Sequence, residues 1–155
     1  MKSKLIASIV SIGLSVLLLH QTIEAKPDKP IAPKVASLIA HLVKEANEPD
    51  SHSSGDVYLF VELGSTGYIA ELNSGKVVRQ RKAEADGAVM CGIYAKVSVN
   101  LMDSQMKETA QGGGQVLKQI AGKWQKVASS EGDYSCDSLK RIPKAARQCL
   151  KLECE

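Results

Sequence analysis

Few side chains beyond residue 25 could move protons or hold a metal ion at neutral pH. Two of the three histidines, His41 and His52, lie there. His41 is one position from the apolar stripe of a helical pattern, which indicates the flank or surface of a helix. His52 lies in the loop DSHSSGD, which contains the residue types of a Ser-His-Asp triad or of a metal site. Because one short loop gives these groups no rigid support, we expect a solvated turn.

Paired carboxylates are the second chemistry that the sequence offers, since two acids can hydrolyse a glycosidic bond without histidine. Glu62 and Glu71 lie on consecutive predicted strands, and Glu62 falls at the phase that faces outward. Aromatic surface for stacking sugars is scarce, with one Phe, one Trp and four Tyr in the chain. A small secreted hydrolase that uses this pair is the alternative to a non-catalytic function.

The glycine-rich segments lack the features of phosphate-binding loops. Gly112-Gly113-Gly114 precedes a strand pattern, and Gly122-Lys123 precedes Trp124, where a P-loop requires Ser or Thr. We expect the three glycines to form a flexible joint. The tail helix has basic residues without interleaved aromatic ones, so stacked nucleic-acid recognition is not expected either.

The cysteines predict covalent cross-links rather than a metal centre. They are Cys91, Cys136, Cys149 and Cys154. An even number in an exported chain predicts two disulfides. Zinc would require a C-x-x-C pair or a nearby histidine, and the sequence has neither. No metal or cofactor is expected.

The amino terminus has the layout of a secretory signal peptide over residues 1–25. Lys2 and Lys4 precede the apolar run Leu5 to Leu19, and cleavage is expected after Ala25. The apolar run is shorter than the roughly 20 residues of a membrane-spanning helix. We therefore expect a secreted or periplasmic protein with no transmembrane span after cleavage.

Charge and length limit the classes of partner. The whole chain has 20 Lys and Arg and 17 Asp and Glu, a net charge of +3. The signal peptide contains two of those lysines and one glutamate, so the mature chain carries +2. That excess is too small to indicate nucleic acid as a partner. By length, residues 35–155 form a single domain.

The elements that must position these groups are one helix and several strands. Residues 26–34 contain three prolines and predict a stiff, non-helical arm. An amphipathic helix is predicted from Val35 to about Asn47. Strands are predicted at 57–63, 68–72, 76–81, 88–99, 115–120 and 124–129. The segment before the three glycines is expected to be a short helix or irregular, and the ring of Trp124 is expected to cap the core.

The predicted fold is α+β, with the amino-terminal amphipathic helix packed on an antiparallel sheet of five or six strands and a disulfide-linked helical tail. The layout is similar to cystatin-like and NTF2-like folds, a likeness that implies no function. Cys91 on the central strand and Cys149 on the tail helix both face inward, which favours a Cys91–Cys149 bond and leaves Cys136 for Cys154. Pairing Cys136 with Cys149 and Cys91 with Cys154 remains open.

The outer side of the tail helix is basic. Its residues are Lys140, Lys144, Arg147 and Lys151. Such a stripe is either a solvated helix face or an electrostatic contact with anionic lipid, cell-wall polymer or an acidic protein. We therefore expect a non-catalytic secreted or periplasmic binding protein, such as an inhibitor or an envelope-interaction module, whose partner is a protein or an anionic envelope component.

The carboxyl-terminal third carries a loose motif of a G-x-W hairpin, a cysteine, an apolar-Pro pair and a final cysteine. Here the motif reads Gly122-Lys123-Trp124, Cys136, Ile142-Pro143 and Cys154. It resembles the end of many small exported bacterial proteins of unknown function. The pair Cys91 and Cys149 departs from their two-cysteine pattern. The resemblance implies a secreted α+β domain of bacterial origin and implies no activity.

Overall fold

Helix α1, Pro33–Ala46, begins with proline in its first turn, where the missing N–H costs nothing. Its buried residues recur at helical spacing and are Leu38, Ile39, Leu42 and Val43. Burial of each contributes about 1.5–3 kcal/mol. The helix ends at Asn47, whose side-chain amide donates to the carbonyl of Leu72. The predicted amphipathic helix is confirmed.

The computed structural model describes residues 30–83 and 90–154, without the side chain of Gln111. The predicted signal peptide (1–25), the start of the Pro-rich arm and most of the predicted loop 83–87 lie outside these ranges. The strands in chain order are β1 (Tyr58–Leu63), β2 (Thr66–Glu71), β3 (Val77–Lys82), β4 (Met90–Cys91), β5 (Tyr94–Met102), β6 (Glu108–Ile120) and β7 (Lys123–Ser130).

These seven strands form one antiparallel sheet in the described ranges. Its order is β3-β2-β1-β5-β6-β7, so β3 and β7 are the edges, and the short β4 pairs with β5 outside this path. The α+β class with an antiparallel sheet is confirmed. The predicted count of five or six strands is too low, because one predicted strand is in fact two.

The predicted strand 88–99 divides at Gly92 and Ile93, which turn the chain from β4 into β5. Gly92 has a φ of +59°, a conformation that side chains disfavour, and Cys91 pairs with Tyr94 across the turn. Ile93 therefore projects into solvent with 47% of its surface exposed, although the alternation predicted it to face the core. Residues 88 and 89 lie outside the described ranges.

Strand β6 runs through the three glycines, so the predicted flexible joint is wrong. A Cβ atom on Gly112 would lie 2.2 Å from the carbonyl oxygen of Val99, and one on Gly113 would lie 1.9 Å from that of Ser130. Neighbouring strands approach too closely here for any side chain. The segment before the glycines, predicted to be a short helix or irregular, forms the end of β5, a turn held by Asp103 and the start of β6.

Apolar side chains cover both faces of the sheet. The face toward α1 includes Trp124, which is 4% exposed, and the predicted capping of the core is confirmed. On the opposite face Phe60, Ile69 and Met102 form a small cluster. A bulge in the β6–β7 ladder skips Val127, so Ala128 faces away from Trp124 rather than alongside it as the alternation predicted.

The tail packs on the face opposite α1 as two short helices, α2 (Cys136–Leu139) and α3 (Lys144–Cys149), rather than the one continuous helix that was predicted. Four apolar residues of the tail are buried in one cluster with Tyr94, Val116, Ala128 and Tyr134. They are Leu139, Ile142, Leu150 and Leu152. Pro143 separates the helices because it occupies the N-cap position of α3. The sheet thus lies between α1 and the tail.

Candidate functional site

The tail gathers three of the four predicted basic residues around one open cleft. This cleft of about 500 Å³ is lined by Lys144, Arg147, Gln148, Lys151, Leu152 and Glu153. Lys140 lies apart at the end of α2, where its Nζ is 2.6 Å from Oδ1 of Asp137. The predicted stripe is therefore a three-residue basic cleft, defined by Lys144, Arg147 and Lys151, with Lys140 paired locally.

Arg147 lines this basic cleft and has a hydrogen-bond donor without a partner among the described residues. Its Nε is buried and has no partner among the described residues. Buried donors of charged groups are costly to leave unpaired. Glu153 is the one carboxylate in the lining, so three positive charges face one negative charge. The site is suited to a phosphate or carboxylate group, because guanidinium and ammonium donors bind such oxygens strongly.

The chain reverses direction directly after α3. The amide of Leu152 donates to the carbonyl of Arg147 over 2.9 Å, and Lys151 has a φ of +50°. This reversal folds the last residues of the chain back along the helix.

Two disulfides fix the position of the basic cleft. Cys149 at the end of α3 bonds to Cys91 on β4, and Cys154 bonds to Cys136 at the start of α2. The favoured pairing from the sequence is confirmed. On the loop-entropy model the longer cross-link stabilises the fold by about 4 kcal/mol and the shorter by about 3 kcal/mol. Such bonds are typical of an oxidising compartment.

Glu62 and Glu71 do not form the carboxylate pair considered from the sequence. The register of β1 and β2 pairs Glu62 with Gly67 and Glu71 with Tyr58. The two acids are therefore four positions apart along the strands, about 13 Å at the usual rise per residue. Glycosidase carboxylates are closer, at about 5 to 9.5 Å. Glu71 also accepts a hydrogen bond of 2.7 Å from Ser74 Oγ.

Glu62 is buried rather than solvated, with 7% of its surface exposed. It lies on the sheet face that the tail covers, in a cleft of about 690 Å³ that also contains Glu108 and Glu131. Glu108 pairs with Arg81 at 3.6 Å, and the Arg81 guanidinium lies 4.0 Å from the centre of the Phe60 ring. The acids of this cleft come from three separate segments of the chain.

The loop around His52 does not assemble a triad. His52 Nδ1 is 2.9 Å from the carbonyl oxygen of Ser53, and the Asp56 carboxylate accepts from the Ser53 amide at 2.8 Å and from Thr109 Oγ1. Burial favours the neutral form of Asp56, but these hydrogen bonds outweigh it and hold the pKa of Asp56 below its usual value. His41 lies half-buried on α1, as expected for the flank of a helix.

The described ranges contain no group of three or more His, Cys, Asp or Glu residues arranged to hold a metal ion. Among the helices described, none is long and apolar enough to cross a bilayer. Comparison of the chain with protein-family models, with curated proteins and with solved structures found no match.

Sequence reasoning missed how the tail shapes its own site. The spacing of the basic residues was visible, but Pro143 was the only signal that Lys140 would be separated from the others. The reversal at Lys151 has no glycine or asparagine to mark it. Nothing local indicated that Glu62 would be buried in a cleft with Glu108 and Glu131, because these acids come from segments distant in the chain.

Proposed function

We propose that this protein is a non-catalytic, exported binding protein whose basic cleft contacts an anionic component of the cell envelope. The observation that carries the proposal is the convergence of Lys144, Arg147 and Lys151 on one cleft with a single opposing carboxylate. The ligand group is a phosphate or carboxylate displayed on a polymer or a lipid surface. The oxidised cysteines support a secreted or periplasmic location.

The rigidity of the tail supports recognition over simple solvation. A solvated lysine on a flexible segment loses conformational freedom when it binds, which reduces affinity. Here both ends of the segment are cross-linked, and Leu150 and Leu152 bury beneath it. The cations are therefore held close together before the ligand arrives.

The test is binding of the oxidised protein to vesicles of anionic phospholipid and to a soluble anionic cell-wall polymer. Zwitterionic vesicles serve as the reference. The triple variant Lys144→Glu, Arg147→Glu and Lys151→Glu should lose binding, and added salt should weaken binding of the wild type because it screens exposed charges. Binding to only one of the two anionic probes identifies the source of the ligand group.

A matched control changes the same net charge elsewhere. Lys76, Lys107 and Lys123 are exposed and lie outside the basic cleft, so their replacement by Glu should leave most of the binding intact. If both triple variants lose binding equally, net charge alone explains the attraction and the proposal fails. Equal binding of the wild type to anionic and zwitterionic vesicles, with no polymer binding, also contradicts it.

A carboxylate hydrolase is not proposed. Its named pair was Glu62 and Glu71, and the β1–β2 register separates them.

A further inference from the structure

A second cavity lies between α1 and the sheet, far from the tail. It has a volume of about 270 Å³ and is lined by Leu42, Glu45, Ala46, Ser51, Leu59, Val99, Asn100, Leu101, Gly112 and Gln115. Five of its ten lining residues are aliphatic and four are polar, and sites for small organic molecules likewise combine apolar walls with polar groups. An apolar cavity of about 150 Å³ already holds benzene. This one is open on one side and has room for the apolar part of a somewhat larger molecule.

Two residues that line the cavity, Glu45 and Gln115, each have a side-chain oxygen with no partner in the described part of the chain. Glu45 Oε2 and Gln115 Oε1 are both buried and unbonded. The other carboxylate oxygen, Oε1, is already held by Lys126 Nζ on β7. Lys126 thus fixes the orientation of Glu45 and leaves one oxygen for another donor. Buried acceptors of this kind cost free energy unless something donates to them.

We propose that this cavity binds a small aliphatic primary amine, with its ammonium group at Glu45 and Gln115. An ammonium group has three donors and no acceptor, which matches two unpaired acceptor oxygens. A carboxylate ligand would place negative charge beside Glu45, and an alcohol supplies a single donor. The hydrocarbon chain packs against Leu42, Leu59 and Val99. The site is independent of the basic cleft, so each proposal stands or fails alone.

Titration calorimetry with octylamine, octanol and octanoate tests the proposal on the oxidised protein. The three probes have the same hydrocarbon chain and differ in the polar group. Octylamine should bind most tightly, octanol more weakly, and octanoate not at all. Glu45→Gln should weaken octylamine binding about tenfold or more, because it removes a charge-assisted hydrogen bond.

Two further variants distinguish binding in the cavity from nonspecific electrostatic attraction to the protein surface. Glu131→Gln makes the same charge change in the cleft that contains Glu62 and Glu108, and it should leave octylamine binding unchanged. Ala46→Phe fills the cavity and keeps Glu45 and Gln115, so it should abolish binding. Thermal unfolding of each variant establishes that it remains folded.

The proposal is overturned if octanoate binds as well as octylamine, or if no probe binds. Equal loss of binding in Glu45→Gln and Glu131→Gln would assign the attraction to surface charge. Unchanged binding in a folded Ala46→Phe variant would place the amine outside the cavity.

Discussion

Cys91 and Cys149 are bonded across 58 residues of chain, and this bond attaches the end of α3 to the short strand β4. The Cys136–Cys154 bond closes a loop of 18 residues within the tail. The two loops overlap over residues 136–149 and differ about threefold in length. The longer loop restricts the unfolded state more than the shorter one does.

Replacing Cys91 and Cys149 by Ser should lower the free energy of unfolding by about 4 kcal/mol, and the same change at Cys136 and Cys154 should lower it by about 3 kcal/mol. Denaturant unfolding of the two double variants under one set of conditions measures both losses. A larger loss from the 18-residue loop would contradict the loop-entropy account.

The hydroxyl of Tyr134 is buried with no partner among the described residues, and burial raises the pKa of Tyr134 to about 12 from an unfolded value of 10.0. This pKa difference makes the free energy of unfolding depend on pH. Its contribution is fully present below pH 10 and is lost as the pH rises through about 12, because ionised Tyr134 is disfavoured in the folded state. Absorbance titration of tyrosinate should show this late step in the wild type, and Tyr134→Phe should remove it.

The same variant should unfold at equal or slightly higher denaturant concentration near neutral pH. Removing an unsatisfied hydroxyl relieves its desolvation cost, a gain of about 1 kcal/mol at most. A clear loss of stability in Tyr134→Phe would show that the hydroxyl has a bonding role.

Gly113→Ala should destabilise the fold by about 2 kcal/mol or more, because the new Cβ would overlap the carbonyl oxygen of Ser130. Gly132→Ala is the control, since a Cβ there meets nothing within 4 Å. Thermal and denaturant unfolding compare the two variants. Equal stabilities would show that β6 can move away from β7 at little cost.

Asp56 links the loop after α1 to Thr109 on β6. Its folded pKa is lowered from 3.8, so the stability it contributes is present above that value and is lost as the pH falls through the folded pKa. The free energy of unfolding of the wild type should therefore exceed that of Asp56→Asn by less in strong acid than at neutral pH. Thr109→Val should raise the pKa of Asp56 toward 3.8, measured by NMR titration of the carboxyl group. An unchanged pKa would exclude this hydrogen bond as a cause.

Local patterns predicted the elements whose contacts are local. The spacing of Leu38, Ile39, Leu42 and Val43 predicted α1 because one apolar stripe on a helix is enough to define it. The three consecutive strands β1 to β3 were predicted because short turns containing Gly64 and Gly75, both at positive φ, separate them. The hairpin of β6 and β7 was predicted from Gly122 for the same reason.

Elements that depend on distant neighbours were not predicted. Glycine normally weakens a strand, so Gly112 and Gly113 indicated a joint, and only the position of Val99 and Ser130 explains why β6 continues there. The cavity oxygens of Glu45 and Gln115 come from α1 and β6, 70 residues apart in the chain. No pattern within either segment indicates that they share a cavity.

Both edges of the sheet are strongly cationic. The outer strand β3 exposes Arg79, Arg81 and Lys82, and the opposite edge β7 exposes Lys123 and Lys126. An edge strand has unpaired backbone groups that could recruit a strand from another molecule, and positive side chains there repel an identical edge. Arg79, Lys82 and Lys123 therefore oppose edge-to-edge pairing of two copies of the chain, whereas Arg81 and Lys126 are partly neutralised by Glu108 and Glu45.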